Sequence, residues 1–251
     1  MTSLYSGWGH LKNSDMGRNN YFQFKQFTVI QEHSAMKVGV DSVILGAWTQ
    51  TGEAKTILDV GCGTGLLSLM MAQRSSAQIT GIDIDKDTCR EAEMNVARSQ
   101  WPDRINIQHI PFQQFAMQHP DRFDLVISNP PYFENSSKPG DLKRKTARHN
   151  DELPFNEFLE GCTRVLHPVG RFSVILPADR AGDFSQLASG YGFFKSRILK
   201  VQHFPDKPYH RILMEFMQKR ITCTEEMLVI ESEGQYTESY RQLTGPFYLA
   251  F

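Results

Sequence analysis

The sequence lacks several features that would place it in a specialised class of protein. Its four cysteines (Cys62, Cys89, Cys162 and Cys223) include no CxxC pair, which argues against a zinc site or a disulfide framework and favours a reducing compartment. No apolar run approaches the roughly 18 residues of a membrane span, and the N-terminus lacks the apolar segment of a signal peptide. The formal net charge is only −1, so nucleic-acid binding would require a local basic patch. We therefore expect a cytoplasmic protein without metal or membrane association, and no obligate protein partner is evident.

The order of the apolar segments is typical of a large α/β domain. Predicted strands at 56–60, 78–83, 105–107, 123–128 and 171–176 alternate with amphipathic, helix-like segments. This alternation predicts a doubly wound, mostly parallel sheet with helices on both faces. Two strand-like segments near the C-terminal end follow one another closely, which predicts an antiparallel closing strand. The expected fold class is therefore α/β, with a seven-stranded sheet.

The regions that flank these segments extend the predicted domain. Residues 1–21 are polar and predict a flexible N-terminal arm. Residues 22–251 predict a single domain, which includes an N-terminal extension at 22–50 and a C-terminal extension at 220–251. The domain is therefore expected to fill nearly the whole chain.

The segment 56–67 predicts a buried strand, a glycine turn and the start of a helix. Gly61, Gly63 and Gly65 can adopt positive φ and allow a ligand to approach bare backbone. The free N–H groups at the start of the following helix would favour an anionic group. A binding site for a charged ligand is therefore predicted at this turn.

The spacing of the glycines narrows the kind of ligand. A dinucleotide fingerprint has glycine at the first, third and sixth positions, whereas here the sixth position is Leu66. Asp83, followed by Ile84, closes the next predicted strand about 20 residues later, where an acidic group holds ribose hydroxyls. Asp85 is expected to cap the helix that follows. The combination of the glycine spacing with Asp83 favours a nucleoside without a pyrophosphate. The alternative is a tight turn followed by a surface aspartate.

A second motif, Asn129-Pro130-Pro131-Tyr132, follows the strand predicted at 123–128. The strands at 56–60 and 123–128 are expected to be neighbours, so Asn129 should face the glycine turn. Asn129 offers an amide oxygen, the prolines keep carbonyl acceptors while losing their N–H groups, and Tyr132 offers a ring face. These groups suit a flat substrate with an amino group. The alternative is a rigid turn with a packed tyrosine.

The chemistry of such a substrate explains why these residue types are needed. An exocyclic amine conjugated to a ring is a poor nucleophile because its lone pair is delocalised. Hydrogen bonds to Asn129 Oδ1 and the Pro130 carbonyl would favour a pyramidal nitrogen and stabilise the positive charge that develops on it. Tyr132 would stack on the ring and hold it in line. The electrophile would be the sulfonium methyl of S-adenosylmethionine, with its carboxylate at the helix start and its ribose at Asp83.

These two motifs resemble the class I S-adenosylmethionine-dependent methyltransferases, and among them the amino-methylating group with an Asn-Pro-Pro-Tyr motif. Over about residues 22 to 251 the chain is more narrowly similar to the bacterial tRNA(Val) adenine-N6 methyltransferases, which modify adenine 37 beside the anticodon. The segments that carry this narrower resemblance are 24–27, 35–41, 45–48, 128–132, 147–149 and 247–249.

The resemblance implies a Rossmann-like fold, S-adenosylmethionine as the cofactor, and methylation of the exocyclic N6 of an unpaired adenine in a tRNA anticodon loop. The predicted catalytic residues are Asn129, Pro130, Pro131 and Tyr132. The predicted cofactor-binding residues are Lys37, Asp41, Asp59, Gly61, Gly63, Gly65, Asp83, Ile84, Phe112 and Asn129.

The predictions for three of these cofactor residues, Phe112, Lys37 and Asp41, have separate reasons. Related enzymes often place an acidic residue after the third strand to bind the cofactor adenine, but here Pro111 occupies that position. Phe112 is therefore expected to stack on the adenine instead. Lys37 and Asp41 precede a predicted helix, and they either line the cofactor cleft or cap that helix.

The loop that follows Tyr132 carries a cluster of positive charge beside the predicted pocket. The predicted RNA-binding residues of this loop are Lys138, Lys143, Arg144, Lys145, Arg148 and His149. Phosphate contacts supply much of the affinity in nucleic-acid complexes. The alternative is an ordinary solvated loop.

Three other functions remain open from the sequence. A protein glutamine-N5 methyltransferase would present the same planar NH₂ group to the same motif, as would other amino methylation of nucleic acid. The basic loop favours RNA over a peptide. A binding module that keeps the cofactor without catalysis is a third possibility, against which the complete motif from Asn129 to Tyr132 argues.

Overall fold

The structure, a computed structural model, describes residues 20–32, 37–120, 122–130 and 153–251. Its elements, in chain order, are β1 (Tyr21–Gln23), β2 (Thr28–Ile30), α1 (Val40–Trp48), β3 (Thr56–Val60), α2 (Leu66–Arg74), β4 (Gln78–Asp83), α3 (Lys86–Ala97), β5 (Ile105–His109), α4 (Phe112–Gln118), β6 (Phe123–Ser128), α5 (Phe155–Val165), β7 (Leu166–Pro177), α6 (Ala181–Gly190), β8 (Phe194–Gln202), β9 (Arg211–Met217), β10 (Thr224–Val229), β11 (Glu231–Ser232), β12 (Gln235–Tyr236) and α7 (Glu238–Thr244).

The central sheet has eight strands in the order β10-β8-β9-β7-β6-β3-β4-β5. The five adjacent strands β7, β6, β3, β4 and β5 run parallel to one another, whereas β9 runs antiparallel to both β7 and β8. The predicted α/β architecture and its antiparallel strand are confirmed. The sheet has one strand more than the predicted seven because β10 runs alongside β8. Two ion pairs join these strands, Arg197–Glu226 and Lys200–Glu225.

Strand β3 lies in the middle of this sheet and is covered on both faces. Ile57 packs into the cluster of buried side chains that includes α1, α2 and α3. Leu58 and Val60 pack into the opposite cluster, which includes α4, α5 and α6. All three side chains are at most 2% exposed, so an unbroken apolar run is what this strand requires.

The N-terminal extension packs on the same core. Helix α1 buries every residue from Val43 to Trp48. A Cβ at Gly46 would lie only 2.6 Å from the Met70 sulfur, so the glycine permits close packing of α1 on α2. Strands β1 and β2 form a short antiparallel hairpin. The division into an arm at 1–21 and one domain at 22–251 stays a prediction, since residues 1–19 lie outside the described part of the chain.

Within the described residues, no helix combines the length and apolar character needed to cross a membrane.

Candidate active site

The glycine turn after β3 leaves open space beside its backbone. Gly61, Gly63 and Gly65 have φ values of 69°, 55° and 79°, a region that glycine adopts without a steric penalty. A Cβ at Gly61 or Gly63 would meet no atom within 4 Å, whereas one at Gly65 would contact Ala92 on α3 at 3.4 Å. The first two glycines therefore border a space that a ligand can enter, and the third allows α2 to pack against α3.

Asp83 lies at the end of β4, directly beside this turn. One carboxylate oxygen, Oδ2, accepts a hydrogen bond from the Gly63 N–H at 3.0 Å, and Oδ1 accepts one from the Asp85 N–H at 3.0 Å. Asp85 in turn caps α3 by accepting from the Thr88 N–H at 2.7 Å, as its position in the sequence predicted. Ile84 is 44% exposed next to the carboxylate. The site thus offers a fixed acidic group and an apolar surface side by side.

Asp59 supports the turn from inside the protein. Its side chain is fully buried, and Oδ2 accepts hydrogen bonds from the N–H and the hydroxyl of Ser68, at 2.9 and 2.7 Å. The other oxygen, Oδ1, has no hydrogen-bond partner among the described residues. Burial raises the pKa of Asp59 to about 7, against the lowering effect of the Ser68 hydrogen bonds. The carboxyl group therefore holds the first turn of α2.

Phe112 lies in the core. It is the first residue of α4, and its ring is 3% exposed. The ring packs against Phe158, with centroids 5.9 Å apart, and lies so close to Gly161 that a Cβ there would overlap it. Helix α4 thus directs the ring away from the surface, which leaves no broad face for stacking on an adenine. Phe112 therefore packs as a core residue beside Phe158.

Asn129 follows β6, one strand away from the glycine turn. Strands β3 and β6 are parallel neighbours, and the Ser128 hydroxyl donates to the Val60 carbonyl at 2.8 Å. The Asn129 side-chain Nδ2 donates to the Ser42 hydroxyl at 2.8 Å. Asn129 and Pro130 are half-buried. Pro131 and Tyr132 lie outside the described residues.

Helix α1 begins at this same edge of the sheet, and its polar residues do not cap it. The N-cap is Gly39, without a side-chain hydrogen bond to the helix. Asp41 accepts a hydrogen bond from Arg211 Nε at 2.7 Å, and Lys37 is exposed. The alternative that Lys37 or Asp41 caps the helix is therefore wrong. Their predicted contact with the cofactor stays a prediction.

Two other predictions concern the RNA-binding loop and metal ions. All six predicted RNA-binding residues lie outside the described part of the chain; they are Lys138, Lys143, Arg144, Lys145, Arg148 and His149. Across the described ranges, no group of three or more His, Cys, Asp or Glu side chains is arranged to hold a metal ion.

Sequence reasoning missed Ser42 as a part of this site. One feature could have drawn attention to it: Asp41 and Ser42 are the polar residues of a nine-residue helix, and the six residues that follow them are all buried. Two polar side chains at the start of such a helix indicate partners elsewhere in the fold. The partners themselves are distant in the sequence, since Asn129 follows Ser42 by 87 residues.

Comparison with known proteins places this geometry among methyltransferases. Residues 51–216 match the family model of a methyltransferase domain. A tRNA1(Val) (adenine(37)-N6)-methyltransferase of Bacteroides fragilis is 43% identical over 231 residues, which cover 91% of this chain and 98% of that protein. A protein of the same name from Phocaeicola vulgatus is 44% identical over 232 residues, which cover 92% of this chain and 98% of the relative.

The fold is similar to that of solved methyltransferase structures. The crystal structure of a predicted O-methyltransferase from Agrobacterium tumefaciens aligns with a TM-score of 0.64 and 19% sequence identity. The alignment covers 82% of this chain and 96% of that chain. At this level of identity the likeness concerns the fold alone.

Proposed function

This chain belongs to the tRNA1(Val) (adenine(37)-N6)-methyltransferase family, and from that premise we propose that it transfers a methyl group from S-adenosylmethionine to N6 of adenine 37 in tRNA(Val). The observation that carries the proposal is the position of the Asn129 amide, at the end of the strand next to the glycine turn. A methyl donor at the turn and an amine at Asn129 would share one cleft.

The residues around the turn fit S-adenosylmethionine. The open side of Gly61 and Gly63 leaves room for the ligand against the backbone. The N-terminus of α2 suits the methionine carboxylate, because the first N–H groups of a helix carry partial positive charge. Asp83 keeps lone pairs for ribose hydroxyls beyond its two backbone hydrogen bonds. The exposed side chain of Ile84 offers an apolar surface for the adenine. When bound, the cofactor supplies an electrophilic methyl group on a positively charged sulfur.

The residues after β6 act on the acceptor amine. Asn129 Oδ1 and the Pro130 carbonyl would each accept one N–H of adenine N6, which would favour a pyramidal nitrogen with a free lone pair. When that nitrogen takes the methyl group, the electrons of the broken carbon–sulfur bond would stay on the sulfur, which leaves as a neutral thioether. The same two oxygens stabilise the positive charge that forms on the nitrogen, an effect for which removal of one group typically costs about 10²- to 10³-fold in turnover. The nitrogen then loses one proton, which water can accept. No protein base is required for this step.

The RNA would approach over the segment that follows Pro130. Tyr132 stacks on the adenine, which must be unpaired and turned out of its loop to enter the cleft. Lys143, Arg144 and Lys145 contact phosphates of the anticodon loop, which makes binding dependent on salt. This part of the proposal rests on the sequence and on the family, since these residues lie outside the described ranges.

Methylation of defined RNA tests the reaction. Unmodified tRNA(Val) transcript is incubated with the protein and labelled S-adenosylmethionine, then digested to nucleosides. We expect N6-methyladenosine from this transcript and none from a transcript with guanosine at position 37. A glutamine-containing peptide is the control for amide methylation. Label in the peptide but not in the RNA would replace the proposed function with the glutamine-N5 alternative.

The basic loop is tested separately by tRNA binding. Replacing Lys143, Arg144 and Lys145 with Ala should weaken binding and flatten the dependence of log K on log salt, by roughly 0.7 to 0.9 for each phosphate that is no longer neutralised. The matched control replaces Lys195, Lys219 and Arg220, which are exposed at the opposite edge of the sheet. Equal effects from the two triple variants would remove the loop from the RNA interface.

A further inference from the structure

We propose that Ser42 is a positioning residue, which orients the Asn129 amide for methyl transfer. The inference rests on the proposed function, because the orientation matters only if Asn129 receives the target amine. Ser42 itself touches neither substrate nor cofactor in this account. It acts through one hydrogen bond, from Asn129 Nδ2 to the Ser42 hydroxyl, with a length of 2.8 Å.

The hydrogen bond to Ser42 restrains rotation of the Asn129 side-chain amide. With Nδ2 bound to Ser42, Oδ1 is at the far end of the Asn129 amide. An amino group on an aromatic ring approaches with N–H donors, so it requires the oxygen and not the NH₂ group of Asn129. If the Asn129 amide were rotated by half a turn, its NH₂ group would face the N–H donors of the target amine, and no hydrogen bond could form between them. In the orientation that the structure shows, Nδ2 is bound to Ser42 and Oδ1 stays available to the amine, which is pre-organisation of an acceptor.

Helix α1 is firmly held at both ends, so the Ser42 hydroxyl has a defined position. At the C-terminal end, the Arg74 side chain donates to the carbonyls of Gly46 and Thr49, both at 2.6 Å. At the N-terminal end, Asp41 pairs with Arg211 at the start of β9. The buried residues between these ends pack on the core. A hydroxyl on such an element can hold an amide better than one on a free loop.

Ser42 lies outside the part of the chain that the general methyltransferase model matches. The general methyltransferase model matches residues 51–216, whereas α1 ends at Trp48. The contact therefore joins Asn129, inside the matched region, to a helix that precedes it. Through this contact the N-terminal extension takes part in the site, in addition to covering the core.

Substitutions that separate the hydroxyl from the shape of the side chain test the inference. Ser42→Val removes the hydroxyl, and Ser42→Thr introduces a side chain of almost the same shape as Val but keeps the hydroxyl. We expect kcat on tRNA to fall by about 3- to 10-fold in the Val variant, the effect of one ordinary hydrogen bond, and to stay near wild type in the Thr variant. The KM for tRNA and the Kd for S-adenosylmethionine should change little in either. Equal kcat in the two variants overturns the inference.

A double-substitution cycle distinguishes positioning from a general effect on folding. If Ser42 acts through Asn129, Ser42→Val should cost nothing further in an Asn129→Ala background, because the amide is already absent. Two losses that multiply would show that Ser42 acts by another route and would overturn the inference.

A measurement without substrate makes this inference separable from the proposed function. The side-chain amide signal of Asn129, assigned by its disappearance in Asn129→Ala, should be ordered in NMR relaxation of the wild type and of Ser42→Thr, and mobile in Ser42→Val. An ordered amide in the Val variant contradicts the positioning role. Absence of tRNA methylation by the wild type overturns the proposed function, whereas normal methylation by Ser42→Val overturns the role of Ser42 alone.

Discussion

The proposed cleft has a cofactor side, formed by the β3–α2–β4 unit, and an acceptor side, formed around Asn129. The hydrogen bonds within these two sides differ greatly in the sequence distance that they span. On the cofactor side, Ser68 bonds to Asp59 over 9 residues and Gly63 bonds to Asp83 over 20 residues. On the acceptor side, Asn129 bonds to Ser42 over 87 residues. The Arg211–Asp41 pair beside it spans 170 residues.

This difference suggests that cofactor binding and orientation of the target amine depend on separate sets of contacts. The cofactor side lies within one strand–helix–strand unit, so its geometry follows from local backbone conformation and nearby hydrogen bonds. The acceptor side requires α1, β6 and β9 to pack correctly before its groups meet. We therefore expect substitutions on the first side to change cofactor affinity or local stability, and substitutions on the second side to change turnover.

The largest effect is expected from Asn129→Ala. Turnover should fall by about 10²- to 10³-fold, because the variant lacks an acceptor that stabilises charge in the transition state. Calorimetry should give an unchanged affinity for S-adenosylmethionine. Asn106→Ala, an exposed position on β5, is the matched control. If cofactor affinity fell as far as turnover, the two sides could not be treated as separate.

The pH dependence of stability tests the role of Asp59, the buried carboxyl group beneath the glycine turn. The pKa of Asp59 is raised to about 7 by burial, so the folded protein binds this proton more tightly than the unfolded chain does. The resulting stabilisation is fully present below about pH 4 and is lost as the pH rises to about 7. Between pH 5 and pH 8 this group alone should lower the free energy of unfolding by about 3 kcal/mol.

Asp59→Asn should remove that part of the pH dependence. The Asn side chain keeps an oxygen for the Ser68 hydrogen bonds but does not ionise. Urea unfolding of both proteins at pH 5 and pH 8 measures how the free energy of unfolding changes with pH in each. The same change in the two proteins would show that Asp59 does not titrate in this range.

Replacement of Asp83 tests the binding role of the cofactor side directly. Asp83→Ala should weaken S-adenosylmethionine binding by about 10- to 100-fold, since hydrogen bonds to charged groups contribute about 1.5–3 kcal/mol. At saturating cofactor, turnover should recover most of its wild-type value. Asp87→Ala is the control, because Asp87 is an exposed residue that pairs with Arg90 at 3.1 Å. Unchanged affinity would remove Asp83 from the site.

The smallest effect is expected from Asp41→Asn on the acceptor side. The Asp41–Arg211 pair is partly exposed, so breaking it should lower the free energy of unfolding by at most about 1 kcal/mol. Turnover should fall by less than in Ser42→Val, because α1 keeps its buried contacts. Glu226→Gln breaks the Arg197–Glu226 pair between β8 and β10 and should leave turnover unchanged. A decrease in cofactor affinity in Asp41→Asn would instead support the predicted contact of Asp41 with the cofactor and place this residue on the cofactor side.

Much of the cofactor side could be predicted from neighbouring residues. The glycine spacing predicted a turn with positive φ, and all three glycines adopt it. Asp85 was expected to cap α3, and it does. The acceptor side was less accessible. The sequence predicted Asn129 as the acceptor of a target amine, but it did not indicate that Ser42 would be its partner.

The local chemistry of the chain by itself determined the α/β class and the glycine turn, because these depend on periodicity and on backbone conformations that nearby residues favour. The adjacency of β3 and β6, two strands that are not consecutive in the chain, was expected from the usual strand order of a doubly wound sheet. Only the tertiary structure decided that Phe112 is directed into the core and that β10 extends the sheet. It also decided that Ser42 meets Asn129. The physical reason is that each of these contacts depends on how whole elements pack, and packing joins side chains that no local pattern relates.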